Sequence, residues 1–126
     1  EYYSHVMHIV SNVTGQLKDN LDPIDDLFAG LPAGTVSGAP KIRALEILEE
    51  HESINREFYS GSVFYLDING DMDSCINLRT AMIKDKMIYT QSGAGIVYDS
   101  IPKNEYLECM NKANALFEAY KIAHKI

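Results

Sequence analysis

Positive charge is scarce in this sequence: 11 Lys and Arg stand against 18 Asp and Glu among 126 residues, for a formal net charge of −7. Nucleic-acid binding rests on clustered cations that neutralise phosphates, and this balance excludes it. Long apolar runs are missing too. None approaches the ~20 residues needed to cross a bilayer, and no basic-then-apolar stretch precedes them in residues 1–126, so no membrane or targeting signal is expected within this stretch, a cut N-terminus being able to hide one, and a cytoplasmic setting is expected. The two cysteines, Cys75 and Cys109, lie far apart in apolar contexts and read as reduced core thiols, not as a disulfide or metal pair. With 4 prolines, 8 glycines and 46% apolar residues, the composition excludes disorder and fits one domain or part of one. The chain runs at once into a strand-like stretch, Tyr3 to Val10, with no turn or cap ahead of it, and reads as a piece of a longer domain.

Periodicity predicts an α+β chain. The β-rich stretch from Val6 to Leu17 ends in the turn-prone Lys18-Asp19-Asn20. Asp22-Pro23 supplies a cap and a first-turn proline for a short helix carrying Ile24, Leu27 and Phe28 up to Gly30. A glycine-rich loop over 32–39 leads to Pro40 and a helix to about Glu50, with Ile42, Leu45 and Leu48 expected on its inward stripe. Val63 to Ile68, Asn69-Gly70, Met72 to Ile83, Lys84-Asp85-Lys86 and Met87 to Gln91 then alternate strand and turn, predicting an antiparallel β-meander. Ile101-Pro102 opens a last helix to about His124, with Tyr106, Cys109, Met110, Ala113, Leu116, Phe117 and Tyr120 on one arc to be packed.

Four places could carry chemistry. Glu105, Glu108 and Lys112 share one helix face; the two carboxylates form either a half-site for a hard divalent cation or, as Glu108 with Lys112, an ordinary surface pair. Gly34-Thr35-Val36-Ser37-Gly38 offers backbone N–H groups to an anion, or is a tight loop with Ser37 as a cap; Lys41 stands too late for a phosphate-binding P-loop. Gly93-Ala94-Gly95 at a strand end lacks the third glycine of a dinucleotide fingerprint but lets backbone approach a carboxylate. Alternation puts Arg79 on the strand face of Asn77 and Ala81, where a guanidinium needs an anion. His8 is either a satisfied core histidine or an acid/base group, and Tyr59 carries no signal of its own.

Taken together and in order, the segment Leu31 to Ala44, Asp73 to Thr80, Gly93 to Val97 with Asp99-Ser100, and Glu105-Tyr106-Leu107-Glu108 through Asn111-Lys112-Ala113 resemble the C-terminal part of the chorismate-binding enzymes, nearest to their anthranilate-forming branch. The resemblance covers essentially all of residues 1–126. It implies roughly the last third of a large α/β sandwich whose antiparallel sheets enclose the site, that is, a partial chorismate-binding domain.

It also implies roles. Glu105 and Glu108 would help hold Mg2+ against the ring carboxylate of chorismate. Tyr59, Arg79 and Gly95, with Gly93 nearby, would meet the enolpyruvyl carboxylate. Lys112 would add positive charge, Thr35 would contact the substrate, and His8 would assist the eliminations. A dianion bound by a protein of charge −7 requires cations concentrated in one place. The implied reaction adds ammonia, supplied by a glutamine amidotransferase subunit, to the ring with loss of its hydroxyl, then eliminates pyruvate.

Departures from the family pattern are Tyr98 in place of a small residue and Ser53-Ile54-Asn55 ahead of Tyr59. The family's second acidic pair, upstream of His8, is not in this sequence, so the isolated chain is expected to be inactive. Thr35-Val36-Ser37-Gly38 favours the anthranilate branch over the aminodeoxychorismate branch, with isochorismate and salicylate formation third. The alternative of another class is a non-catalytic piece that contacts an amidotransferase.

Overall fold

In a computed structural model, Tyr2, Met7 and residues 9–124 are described. The order is three helices, two hairpins and a long helix. The first helix, α1 (Pro23–Gly30), starts where the sequence placed it. The Asp22 side chain accepts from the Ile24 N–H at 2.8 Å, and Asp25 accepts from the Asp22 N–H, which closes a capping box ahead of Pro23. His8 and most of the stretch expected as the first strand lie outside the described residues. Within them, Ile9 to Leu17 form no strand and stay exposed, and no described residue pairs with them; an isolated bridge joins Tyr2 and Met7.

The glycine-rich loop winds into a single turn, α2 (Gly34–Ser37), in which Ser37 Oγ donates to the Ala33 carbonyl at 3.0 Å. Ser37 is therefore not the cap of the next helix, α3 (Lys41–His51), which begins after Pro40 with no side-chain cap. Gly38 joins the two at φ 113, and a Cβ there would stand 3.0 Å from the Ala44 Cβ. Only glycine meets both conditions. The inward line of α3 is Lys41, Ala44, Leu45 and Leu48, while Ile42 is 70% exposed. The expected stripe stepped by three residues each time, which drifts around a helix of 3.6 residues per turn and carries Ile42 off the packed face.

The expected meander is realised as two successive two-stranded antiparallel sheets. Strands β1 (Ser62–Leu66) and β2 (Met72–Ile76) pair from Ser62↔Ile76 to Leu66↔Met72. Asp67 organises their loop by accepting from the Asn69 and Asp71 N–H groups at 2.8 and 3.0 Å, and these bonds, Asn69's first, hold its carboxyl below the usual range. Strands β3 (Ala81–Lys84) and β4 (Met87–Thr90) pair from Ala81↔Thr90 to Lys84↔Met87. The single strand expected from Met72 to Ile83 is broken between them. Leu78 N–H turns back onto the Ile76 carbonyl, and Arg79 takes φ 53, so Arg79 does not share a strand face with Asn77 and Ala81.

The β3–β4 turn is made by Asp85 (φ 51) and Lys86 (φ 64), two left-handed residues in a two-residue hairpin. That geometry favours Asn-Gly. Replacing the pair (Asp85→Asn with Lys86→Gly) in the full-length protein is expected to raise stability by about 1 kcal/mol by relieving left-handed strain. The shift of the urea midpoint measures it, and an unchanged or lower midpoint refutes it.

The last helix, α4 (Pro102–Ala123), follows Ile101 with proline in its first turn. Its covered line is Glu105, Cys109, Lys112, Ala113 and Leu116, with Ala113 the buried residue at 9% exposure. Half of the arc expected to pack is open: Tyr106 is 64% exposed, and Met110, Phe117 and Tyr120 also face outward. Cys75, expected in a core, is exposed as well, and both thiols are free. The chain shows 10989 Å² to solvent, against about 6,700 Å² for a compact protein of its mass. Packing is concentrated around the loops that join the elements. No helix among the described residues is long and apolar enough to cross a membrane.

Candidate functional site

Ser60, 6% exposed at φ 65, is the centre of the site's framework. Its N–H donates to the Asn77 carbonyl at 3.0 Å. Asn77 N–H donates to the Gly61 carbonyl at 2.9 Å, and Asn77 Nδ2 to the Phe58 carbonyl at 2.9 Å. This exchange fastens the 58–61 turn to the end of β2, which places Tyr59 and Arg79 at one cavity. Asn77 was legible as a strand residue only; nothing in its pattern marked it as the joint.

Arg56 ties a third segment to the same point. Its Nε and Nη2 donate to the two carboxylate oxygens of Glu52 at 2.7 and 2.6 Å, and its Nη1 donates to the Val36 carbonyl at 2.5 Å and to Ser60 Oγ at 3.2 Å. The guanidinium carbon stands 5.6 Å from the Tyr59 ring centroid. The fork from Arg56 holds the Glu52 carboxyl below its usual range, and the same bond raises Arg56. Sequence reasoning missed this residue, since the helix ends at His51 and the four-residue spacing of Glu52 and Arg56 falls beyond it, where helical pairing gives no signal.

The third wall is the segment after β4, which α4 holds in place. Ser92 Oγ donates to the Cys109 carbonyl at 2.8 Å and Lys112 Nζ to the Gly93 carbonyl at 2.9 Å. A Cβ on Gly93 would lie 2.9 Å from the Tyr59 hydroxyl, so Gly93 is glycine because an aromatic side chain presses against it. Gly95 has nothing within 4 Å of that position and opens onto the cavity.

These walls enclose a cavity of about 1000 Å³, into which Thr35, Tyr59, Arg79, Gly93, Gly95 and Lys112 all face. Among the described residues it is lined by four cationic side chains, Arg43, Arg56, Arg79 and Lys112, together with His51, and by no Asp or Glu. In a chain of net charge −7, that is a strong local reversal of sign. Three of the cations are paired just behind the wall: Arg43 with Glu46 and Glu50, Arg56 with Glu52, and Lys112 with Glu108. Arg79 makes no ion pair with any described residue. Among the described residues the cavity therefore presents one guanidinium with its donors uncommitted beside several neutralised ones, an arrangement that receives a carboxylate. Arg43 and His51, one face of α3 apart by two turns, were not anticipated as wall residues.

Glu105 and Glu108 lie outside that wall. Glu108 accepts from Lys112 Nζ at 2.6 Å, so it stands one ion pair behind the cavity, and Glu105 lies one turn earlier on α4. Two carboxylates offer the hard oxygen donors that magnesium prefers and fit it as part of a ligand set. Among the described residues no third acid, histidine or cysteine converges on them.

The chain matches the chorismate binding enzyme family over residues 1–118, and it belongs to that family. Within it, the chain is 53% identical over 126 residues to anthranilate synthase component 1 of Acetivibrio thermocellus, covering 100% of this chain and 26% of that protein. It is 59% identical over 119 residues to the protein of the same name from Cereibacter sphaeroides, covering 94% of this chain and 24% of that one. With the Aquifex aeolicus protein of that name the identity is 54% over 125 residues, 99% of this chain and 25% of that one. The chain thus spans about a quarter of the length of the curated relatives it matches.

Proposed function

We propose that the protein to which this chain contributes is an anthranilate synthase component I, converting chorismate and ammonia to anthranilate, pyruvate and water in a magnesium-dependent reaction of tryptophan biosynthesis. A glutamine amidotransferase subunit would supply the ammonia, and the setting would be cytoplasmic. One observation carries the reading: an acidic chain of a chorismate-binding family gathers, among its described residues, four cations and no acid around one cavity. The shared name of its relatives supports the branch.

Chorismate carries two carboxylates. In this reading the enolpyruvyl carboxylate lies against Arg79, whose fork can take both oxygens, and against the backbone at Gly95, while Tyr59 borders it. Lys112, its charge offset by Glu108, fixes the Gly93 segment and adds a second cation. Thr35 Oγ1 is the hydroxyl that α2 presents to the ring. Glu105 and Glu108 would hold magnesium, which when bound supplies positive charge to the ring carboxylate. Ammonia takes the place of the ring hydroxyl, which leaves as water once protonated. Loss of a ring proton and of the side chain as pyruvate then completes the aromatic ring. A positioned acid/base group must move those protons, and His8 is the candidate.

The test is product analysis of the full-length protein with chorismate, ammonium and magnesium. Anthranilate, read by its fluorescence and lost on chelation of the metal, is the expected outcome. Aminodeoxychorismate or isochorismate would move the protein to a sister branch, and no consumption of chorismate would refute the enzyme reading.

A further inference from the structure

Arg56 lines the cavity, yet its chemistry is directed away from it. A guanidinium has five N–H donors. Four of those of Arg56 are spent, two on the oxygens of Glu52, one on the Val36 carbonyl and one on Ser60 Oγ, and its charge is met by a carboxylate at 2.6 Å. One Nη2 N–H and no net charge are left over for an anion in the cavity, in contrast to Arg79, which makes no ion pair with any described residue. What it does hold is three separate pieces of chain: the C-terminal end of α3 at Glu52, the α2 turn at Val36 next to Thr35, and the turn at Ser60 next to Tyr59.

The segments on either side have few other ties to each other. The α2 turn makes its remaining bonds internally, Val36 and Ser37 N–H to the Ala33 carbonyl and Gly38 N–H to the Gly34 carbonyl. The Tyr59 turn bonds to β2 through Asn77. Twenty residues separate Val36 from Arg56 in the chain, and the guanidinium is the polar link between the two turns among the described residues. It also lies beside the Tyr59 ring, 5.6 Å from its centroid, which adds a cation–π contact to the geometry that orients that ring.

We propose that Arg56 is a positioning residue: its fork locks the Thr35 turn and the Tyr59 turn into one rigid wall, and so sets the spacing of two groups that border the substrate. The proposal rests on the chorismate reading of the cavity for its kinetic consequence, and on the structure alone for the locking. Lysine cannot replace it, since one ammonium cannot span Glu52, Val36 and Ser60 in a planar fork.

Two measurements on the full-length protein test this. The first is amide hydrogen exchange without substrate. Arg56→Gln and Glu52→Gln are each expected to speed exchange about tenfold or more in segments 34–38 and 58–61, with protection of the β3–β4 hairpin unchanged, as for a local opening. The second is kinetics with chorismate. Arg56→Gln is expected to lower kcat/KM by roughly 10- to 100-fold, chiefly through KM, because a wall displaced by about an ångström loses aligned contacts. Arg56→Lys should recover little of it. In a Thr35→Ala and Tyr59→Phe background the same Arg56→Gln change should cost less than about threefold, the non-additivity expected of a residue acting through its neighbours.

Unchanged exchange in both segments overturns the proposal, as do faster exchange with unaltered kinetics and full additivity in the cycle. Glu52→Gln, which keeps the arginine and removes only its anchor, decides the matter if Arg56→Gln fails to fold. If the wild-type protein does not consume chorismate at all, the functional reading falls, while the exchange experiment still decides whether Arg56 joins the two turns.

Discussion

Arg79→Gln in the full-length protein is expected to lower kcat/KM for chorismate by about 100-fold, the loss of two charge-assisted bonds to one carboxylate. Arg79 stands out from Arg43, Arg56 and Lys112 because it alone on the cavity wall has no carboxylate partner among the described residues. Arg79→Lys keeps the charge but not the fork and should fall between wild type and glutamine. Arg79→Gly is the sharper experiment. Arg79 is held at φ 53, where a side chain is strained and glycine is not, so the glycine variant should be more stable by about 1 kcal/mol while losing at least as much kcat/KM as glutamine. A gain in the urea midpoint together with a loss of activity marks strain kept for function. Near wild-type kinetics in both variants would remove Arg79 from the substrate site, and a lower midpoint for glycine would remove the strain argument.

That strain explains what the sequence could and could not reveal. Local rules sufficed for α1, where Asp22, Pro23 and Asp25 specify a start by themselves, and for the β1–β2 hairpin, where turn residues and alternation agree, while the β3–β4 hairpin was found by alternation and a polar break although its turn residues are strained. They failed between Ile76 and Ala81, where apolar alternation ran on but the chain turned. The cause is non-local: Asn77 is bonded to Phe58 and Gly61, and Thr90 Oγ1 to the Thr80 carbonyl, and these contacts force Arg79 out of the strand. The same holds for α4. A helical wheel selected Tyr106, Met110, Phe117 and Tyr120 for burial, yet the line that packs runs through Glu105, Cys109, Lys112 and Leu116, because a loop held by Ser92 and Gly93 covers that side. Of the six cavity residues, Arg79, Gly93, Gly95, Lys112 and the loop of Thr35 stood out by residue type and spacing, while Tyr59 and the substrate roles of all six came through family resemblance. Arg56 and Asn77, which hold them together, carry no mark in a single sequence, because a joint is defined by what it connects.

The sign of the cavity wall follows from where the acids stand. Glu46, Glu50, Glu52 and Glu108 each lie one bond behind a cation that faces inward. A surplus of acid in the whole chain is thus compatible with a cationic cavity, since each carboxylate orients its partner and leaves the space to the guanidinium or ammonium. The exposed pairs contribute little to stability by themselves, and their value in this arrangement is geometric.

Gly93→Ala is expected to reduce kcat/KM by about 10- to 100-fold, because a group displaced by even an ångström loses its alignment. The new Cβ would sit 2.9 Å from the Tyr59 hydroxyl, closer than van der Waals contact allows. The Tyr59 backbone is held, its N–H bonded to the Arg56 carbonyl and its neighbour Ser60 buried, so the ring must swing or the 91–97 segment must move off α4. Either motion also disturbs the Lys112 contact to the Gly93 carbonyl. Gly95→Ala is the control for folding, since its Cβ meets no atom within 4 Å, and any activity it loses reports substrate approach and not a displaced ring. The decisive measurement is the double variant. Tyr59→Phe removes the clashing oxygen, so Gly93→Ala placed on top of it should cost only about two- to threefold more, a coupling a double-mutant cycle resolves. Equal losses from Gly93→Ala with and without the Tyr59 hydroxyl would show that the glycine serves the cavity by some route other than making room for that ring.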